Sequence, residues 1–193
     1  MDFRFKIFNH MIILGIDPGT ARMGYGVIKK DGAKILFLDA GILRVSKSDG
    51  RHIFLQIKIG LEKIIKKWKP EIMAIEKVYF SKNQKTAMSV AEARGVAILT
   101  GLEDGLAIRE YSPNEIKAGL TGYGHADKRG VAKMVNLALG TPKLKIMDDA
   151  SDALAIAIFA AGALRVDAWP FAHKRKSMDI RRTSAGSHGN ISA

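Results

Sequence analysis

Four carboxylates stand where their neighbours make them either costly or useful. Asp17 closes the apolar run Met11-Ile12-Ile13-Leu14-Gly15-Ile16, and Glu76 follows Ile72-Met73-Ala74-Ile75. An acid at the end of a core strand loses hydration unless something compensates it. Asp149 and Asp152 lie three apart at the start of an alanine-rich segment, a spacing that projects both from one helix face. A helix N-terminus favours their charge, and a neighbouring cation favours it more. Gathered together, such acids form an oxygen-rich cluster suited to hard cations, and two Mg²⁺ ions could share it. Ions about 3.5–4 Å apart clamp both the attacking and the leaving oxygen of an in-line attack on a phosphodiester. Asp17, Glu76, Asp149 and Asp152 are therefore the candidate catalytic and metal-ligating residues.

Each acid alone has a plainer explanation. Asp17-Pro18-Gly19 suits a tight turn. Asp148, Asp149 and Asp152 could simply cap a helix and complement its dipole. Glu76 could face solvent on an alternating strand. The cluster requires strands one and four to pair in parallel and the last helix to cross their shared edge.

The elements that would do this follow from periodicity. Residues 11–17, 24–30 and 33–45 read as three strands, with Asp31-Gly32 as a hairpin turn. From Arg51 the period becomes helical: Ile57, Leu61, Ile64, Ile65 and Trp68 share a stripe, and Pro70 ends it. Residues 71–78 read as a fourth strand, 86–102 as an alanine-rich helix and 106–111 as a fifth strand. Ser112-Pro113-Asn114-Glu115 carries a cap, a proline for the first helical position and the acid of a capping box. Further helices are predicted over 127–139 and 148–163. Three hairpin-linked strands followed by strand–helix alternation give an α/β fold with a mixed sheet.

The bulk composition narrows the partners. Lysine and arginine outnumber the acids 31 to 19 over 193 residues, a net charge of +12 that suits a polyanion, nucleic acid before membrane. The absence of cysteine excludes a disulfide framework and thiolate metal sites, and fits a cytoplasmic location. No run reaches the roughly 18 apolar residues that cross a bilayer. Residues 1–10 read as an N-terminal extension, 11–166 as the folded domain and 167–193 as a basic, disordered tail. No G-x-G-x-x-G or G-x-x-x-x-G-K-[ST] is present, which argues against dinucleotide and P-loop sites. A phosphate-binding ATPase of the two-lobed kind needs two such lobes, and 193 residues are too few for both.

Several motifs in order resemble the RuvC family of Holliday-junction resolvases. They are Ile13-Leu14-Gly15-Ile16-Asp17-Pro18-Gly19-Thr20 with Gly24-Tyr25-Gly26, and Ala74-Ile75-Glu76-Lys77-Val78-Tyr79 with Lys82-Asn83. Ala91-Glu92-Ala93-Arg94-Gly95-Val96 and Asp149-Ala150-Ser151-Asp152-Ala153-Leu154 continue the match, which spans about 11–164. The resemblance implies a ribonuclease H-like fold, with a mixed five-stranded sheet flanked by helices. It implies a homodimer making paired symmetric nicks in four-way junction DNA, with two Mg²⁺ ions per active site and Mn²⁺ able to substitute. Branch-migration proteins RuvA and RuvB are the implied partners, with no membrane. By motif position, Lys117 and Lys128 would face the scissile phosphate, and Tyr79 would stack on an unpaired base. Lys82 would add to DNA binding. Asp148 is an extra acid beside Asp149 and is expected to cap the helix. A related nuclease acting on RNA or another DNA structure, or a non-catalytic junction binder, are the competing readings.

Overall fold

The computed structural model describes residues 10–19, 21–44, 52–79, 84–141 and 147–164. Most of the expected N-terminal extension and the basic tail lie outside them. The strands are β1 (His10–Asp17), β2 (Arg22–Asp31), β3 (Lys34–Arg44), β4 (Ile72–Glu76) and β5 (Ala107–Tyr111). The helices are α1 (His52–Trp68), α2 (Gln84–Glu103), α3 (Pro113–Thr121), α4 (Lys128–Ala138) and α5 (Asp148–Ala163).

One mixed sheet runs in the order β3-β2-β1-β4-β5, antiparallel across β3-β2-β1 and parallel across β1-β4-β5. The β2–β3 turn uses Gly32 at φ 60°, a backbone region that costs glycine little. Side chains alternate between the two faces. Leu14, Ile16, Met73 and Ile75 point to one core, closed by Ile57, Leu61, Ile64 and Ile65 of α1 and Ala93 and Ala97 of α2. Ile13, Ile72 and Ala74 point to the other, closed by Ile116 of α3, Val131 and Val135 of α4, and most of α5. Both faces being covered explains why β1 and β4 read as continuous apolar runs rather than alternating ones.

Helix α5 lies close against the sheet because glycines clear its path. A Cβ on Gly15 would stand 2.1 Å from the Ala153 carbonyl, and one on Gly24 would stand 2.0 Å from the Asp149 carbonyl. Such contacts are far inside van der Waals distance. The helix answers with its own small residues, Ala150, Ala153, Ala157 and Ala161, all buried.

Candidate active site

The register of β1 against β4 places the first two acids together. Ile16 pairs with Ile75, so Asp17 and Glu76 come next on adjacent parallel strands. Counting alternation from Ile13 and Ala74 puts both on the face crossed by α5. Helix α5 begins at Asp148 and brings Asp152 to the same sheet edge, with Asp149 near enough to act on Asp17 but outside the cavity lining. A cavity of about 220 Å³ there is lined by Asp17, Glu76, Asp152, Lys117 and Lys128, with Ile116, Val131 and Ile156 as apolar wall.

The electrostatics of the cluster are those of acids without enough positive charge. The Asp17 carboxyl is pushed up to about 7, first by burial and then by Glu76, Asp152 and Asp149, with Lys128 opposing. Glu76 is also raised to about 7, by burial and then by Asp152, against Lys117 and Lys128. The cations present hold the outer acids. Lys128 Nζ lies 3.2 Å from Asp152 Oδ2, and Arg22 Nε lies 3.3 Å from Asp149 Oδ2. The Asp152 bond is also the leading reason that the Lys128 ammonium is raised.

These residues fit a hard divalent cation by chemistry: the acids supply only oxygen donors, and among the described residues Lys117 and Lys128 do not offset the charge of the two inner ones. Among the described residues no trio of acids or histidines is already drawn into a closed cage. Ligation would require the Lys128–Asp152 and Arg22–Asp149 contacts to yield.

The flanking elements fix the lysines. Ser112 Oγ accepts from the Glu115 N–H at 3.2 Å, and Glu115 Oε2 accepts from the Ser112 N–H at 2.7 Å, the expected capping box. The Ser112 hydroxyl, which donates to Glu115 Oε2 at 2.6 Å, and then the Ser112 N–H hold the Glu115 carboxyl below its ordinary range. Ile116, buried, anchors α3, and Lys117 beside it turns into the cavity. Lys128 is the first residue of α4, whose cap Asp127 accepts from the Gly130 N–H at 2.7 Å.

A second concavity, about 580 Å³, shares Asp17, Glu76 and Lys117 with the first and extends to Lys77, Tyr79, Ser112 and Asn114. Tyr79 is 56% exposed at its rim, so it does not serve the core. Lys82 lies outside the described residues. Asp148 does not cap α5 as expected. The cap is Met147, through backbone alone, and Asp148 is the exposed first helical residue. The acid reached for the cap position one residue too late.

Arg94 and the strand glycines were not singled out for chemistry. From α2, Arg94 Nε donates to the Glu76 carbonyl at 3.1 Å, and its guanidinium pairs with Glu110 on β5. Arg94 thus ties down the strand end that carries Glu76. The one sequence signal that points to it is a lone arginine in an alanine-rich helix.

The family model for crossover junction endodeoxyribonuclease RuvC matches residues 13–160. The crossover junction endodeoxyribonuclease RuvC of Fusobacterium nucleatum is 46% identical over 149 residues, 77% of this chain and 78% of the relative. That of Caldicellulosiruptor saccharolyticus is 44% identical over 150 residues, 77% of this chain and 90% of the relative. The solved structure of T. thermophilus RuvC in complex with Holliday junction substrate superposes with a TM-score of 0.74 at 31% identity, covering 79% of this chain and 93% of that one.

Proposed function

The chain belongs to the RuvC family of crossover junction endodeoxyribonucleases, and from that premise we propose how its own residues cut a four-way DNA junction. The protein is a ribonuclease H-like nuclease that resolves such junctions. The observation that carries the site assignment is the β1–β4 register, which sets Asp17 beside Glu76 under the first turns of α5.

Asp17, Glu76, Asp149 and Asp152 would hold magnesium, with manganese as a substitute, and the bound metal would supply Lewis-acid stabilisation of the charge that builds on the phosphate. The chain's residues do the rest. Asp17 and Glu76, half-protonated near neutrality without a cation, must surrender their protons for ligation, so metal binding strengthens as pH rises through about 7. Lys117 and Lys128 supply positive charge on the open side of the acids, where the scissile phosphate would sit. Apolar Ile116, Val131 and Ile156 restrict bulk water on the helix side. Tyr79, at the rim of the larger concavity, offers a ring for an unpaired base at the branch point. By motif position, Lys82 would add phosphate contact. Asp149, half-buried and near enough to act on Asp17, is favoured over exposed Asp148 as ligand.

Symmetric paired cuts call for two sites in opposed orientation, which a two-fold homodimer provides. Exposed Met88, Leu99 and Leu102 on α2 support such a contact. Family membership supports RuvA and RuvB as partners in branch migration. Among the described residues no helix is long and apolar enough to cross a membrane, and a DNA substrate fits the cytoplasm.

The test is a gel assay with end-labelled four-way junction, matched linear duplex and an RNA–DNA hybrid, each with Mg²⁺ or EDTA. Paired, symmetric, Mg²⁺-dependent nicks confined to the junction are expected. Cleavage of the hybrid, or tight junction binding without a cut, would overturn the reading.

A further inference from the structure

The corner between α3 and α4, residues 122–126, does none of the work assigned so far, yet its backbone is closely bonded. Gly122 takes a left-handed conformation at φ 77° and its N–H donates to the Ala118 carbonyl at 2.8 Å. Thr121 Oγ1 lies 2.8 Å from the Lys117 carbonyl and 2.9 Å from the Tyr123 carbonyl, and accepts from the Tyr123 N–H at 3.1 Å. The Ala126 N–H closes the corner on the Tyr123 carbonyl at 3.1 Å. This bonding holds the backbone in one shape and presents the Tyr123 ring outward, 62% exposed, edge-on to His125 at 5.6 Å between centroids.

A rigidly held aromatic in water is unusual for a loop whose only task is connection, because the ring gives up apolar burial for no packing gain. Its position is informative. The corner leaves the helix that carries Lys117 and enters the helix that begins with Lys128, and both lysines line the acid cavity. Beyond Lys128, Arg129 and Lys133 are exposed and four residues apart on α4, so they share an outward face. Neither enters an ion pair with an acid among the described residues that would neutralise it.

We propose that this corner, through Tyr123 together with Arg129 and Lys133, is a second DNA contact that grips the duplex arm leading away from the cut phosphate. Arg129 and Lys133 meet successive backbone phosphates, and the Tyr123 ring packs against an exposed sugar or base face of the same arm. The contact rests on the junction-nuclease reading, and it adds a holding surface outside the catalytic cavity.

The test is fluorescence anisotropy of labelled four-way junction in EDTA, over a range of salt concentrations. Tyr123→Ala should weaken binding by about 5-fold or more, since one base or sugar stack contributes at least about 1 kcal/mol. Tyr123→Phe should bind within about twofold of the parent. The pair Arg129→Ala/Lys133→Ala should lower the salt slope by about 1.8, the release of two phosphate contacts. A matched loss of charge at Lys63→Ala/Lys66→Ala, on α1 across the sheet, should leave the slope near the parent's. Equal slopes for the two pairs, or unchanged affinity for Tyr123→Ala, would overturn the contact. A parent that fails to bind the junction at all would instead remove the nuclease reading beneath it.

Discussion

Without a cation, the half-buried Asp17 carboxylate faces Glu76, Asp152 and Asp149, so replacing it with asparagine should raise the stability of the metal-free protein. The folded carboxyl sits at about 7 against an ordinary 3.8. A raised acid costs nothing while it is protonated in both folded and unfolded states, so its penalty grows as pH climbs from about 4 to 7 and is complete above that. The gap corresponds to about 4 kcal/mol at pH 8. Asparagine removes the charge but keeps a partly buried amide, which costs about 1–2 kcal/mol of that gain. A net stabilisation of about 2 kcal/mol remains, or about 4–8 °C in Tm for a chain of this size. Melting curves in EDTA at pH 8 should show the Asp17→Asn variant above the parent, with the difference shrinking toward pH 4. Added Mg²⁺ should raise the parent's Tm and leave the variant's almost unmoved. A variant that melts at or below the parent in EDTA at pH 8 would refute the idea that uncompensated charge dominates this cavity.

Other substitutions separate the roles of the neighbouring residues. Glu76→Gln keeps shape and removes charge, so cleavage should fall by about 100-fold or more while junction affinity in EDTA survives; retained cleavage would make Glu76 structural. Lys128→Ala breaks the 3.2 Å contact with Asp152 and should slow cutting by about 10-fold or more at saturating junction, as read in single-turnover assays. Gly15→Ala places a methyl 2.1 Å from the Ala153 carbonyl, so α5 must lift, with about 1–3 kcal/mol lost in denaturant melts and most activity gone. Arg94→Met should raise the Mg²⁺ concentration needed for half-maximal cutting several-fold, because the Glu76 backbone loses its anchor; junction affinity measured in EDTA should hold.

The parts of this site legible in the sequence are those written by local rules. Apolar runs ending in Asp17 and Glu76 marked β1 and β4, and the Ser112–Glu115 capping box marked the start of α3, as observed. The order of elements also led to the mixed sheet that forms. What escaped depends on contacts distant in sequence. Residues 71–78 read as one strand, but β4 spans Ile72–Glu76; Glu71 instead accepts the Ile12 N–H through its side chain at 2.7 Å. Asp148 resembled a cap because acids favour helix starts, yet a purely backbone cap at Met147 moved it to the first helical position. The clearance that Gly15 and Gly24 give α5 depends on a helix more than a hundred residues away, which no local pattern encodes. Arg94 reaches across 18 residues to the Glu76 carbonyl, a link no periodicity encodes.

The most direct measurement is a crystal of the protein grown with Mn²⁺ and examined by anomalous scattering. Peaks between Asp17, Glu76, Asp149 and Asp152, with Lys128 turned away from Asp152, are expected. Density with no peak among those four acids, or manganese bound only elsewhere on the chain, would contradict the site.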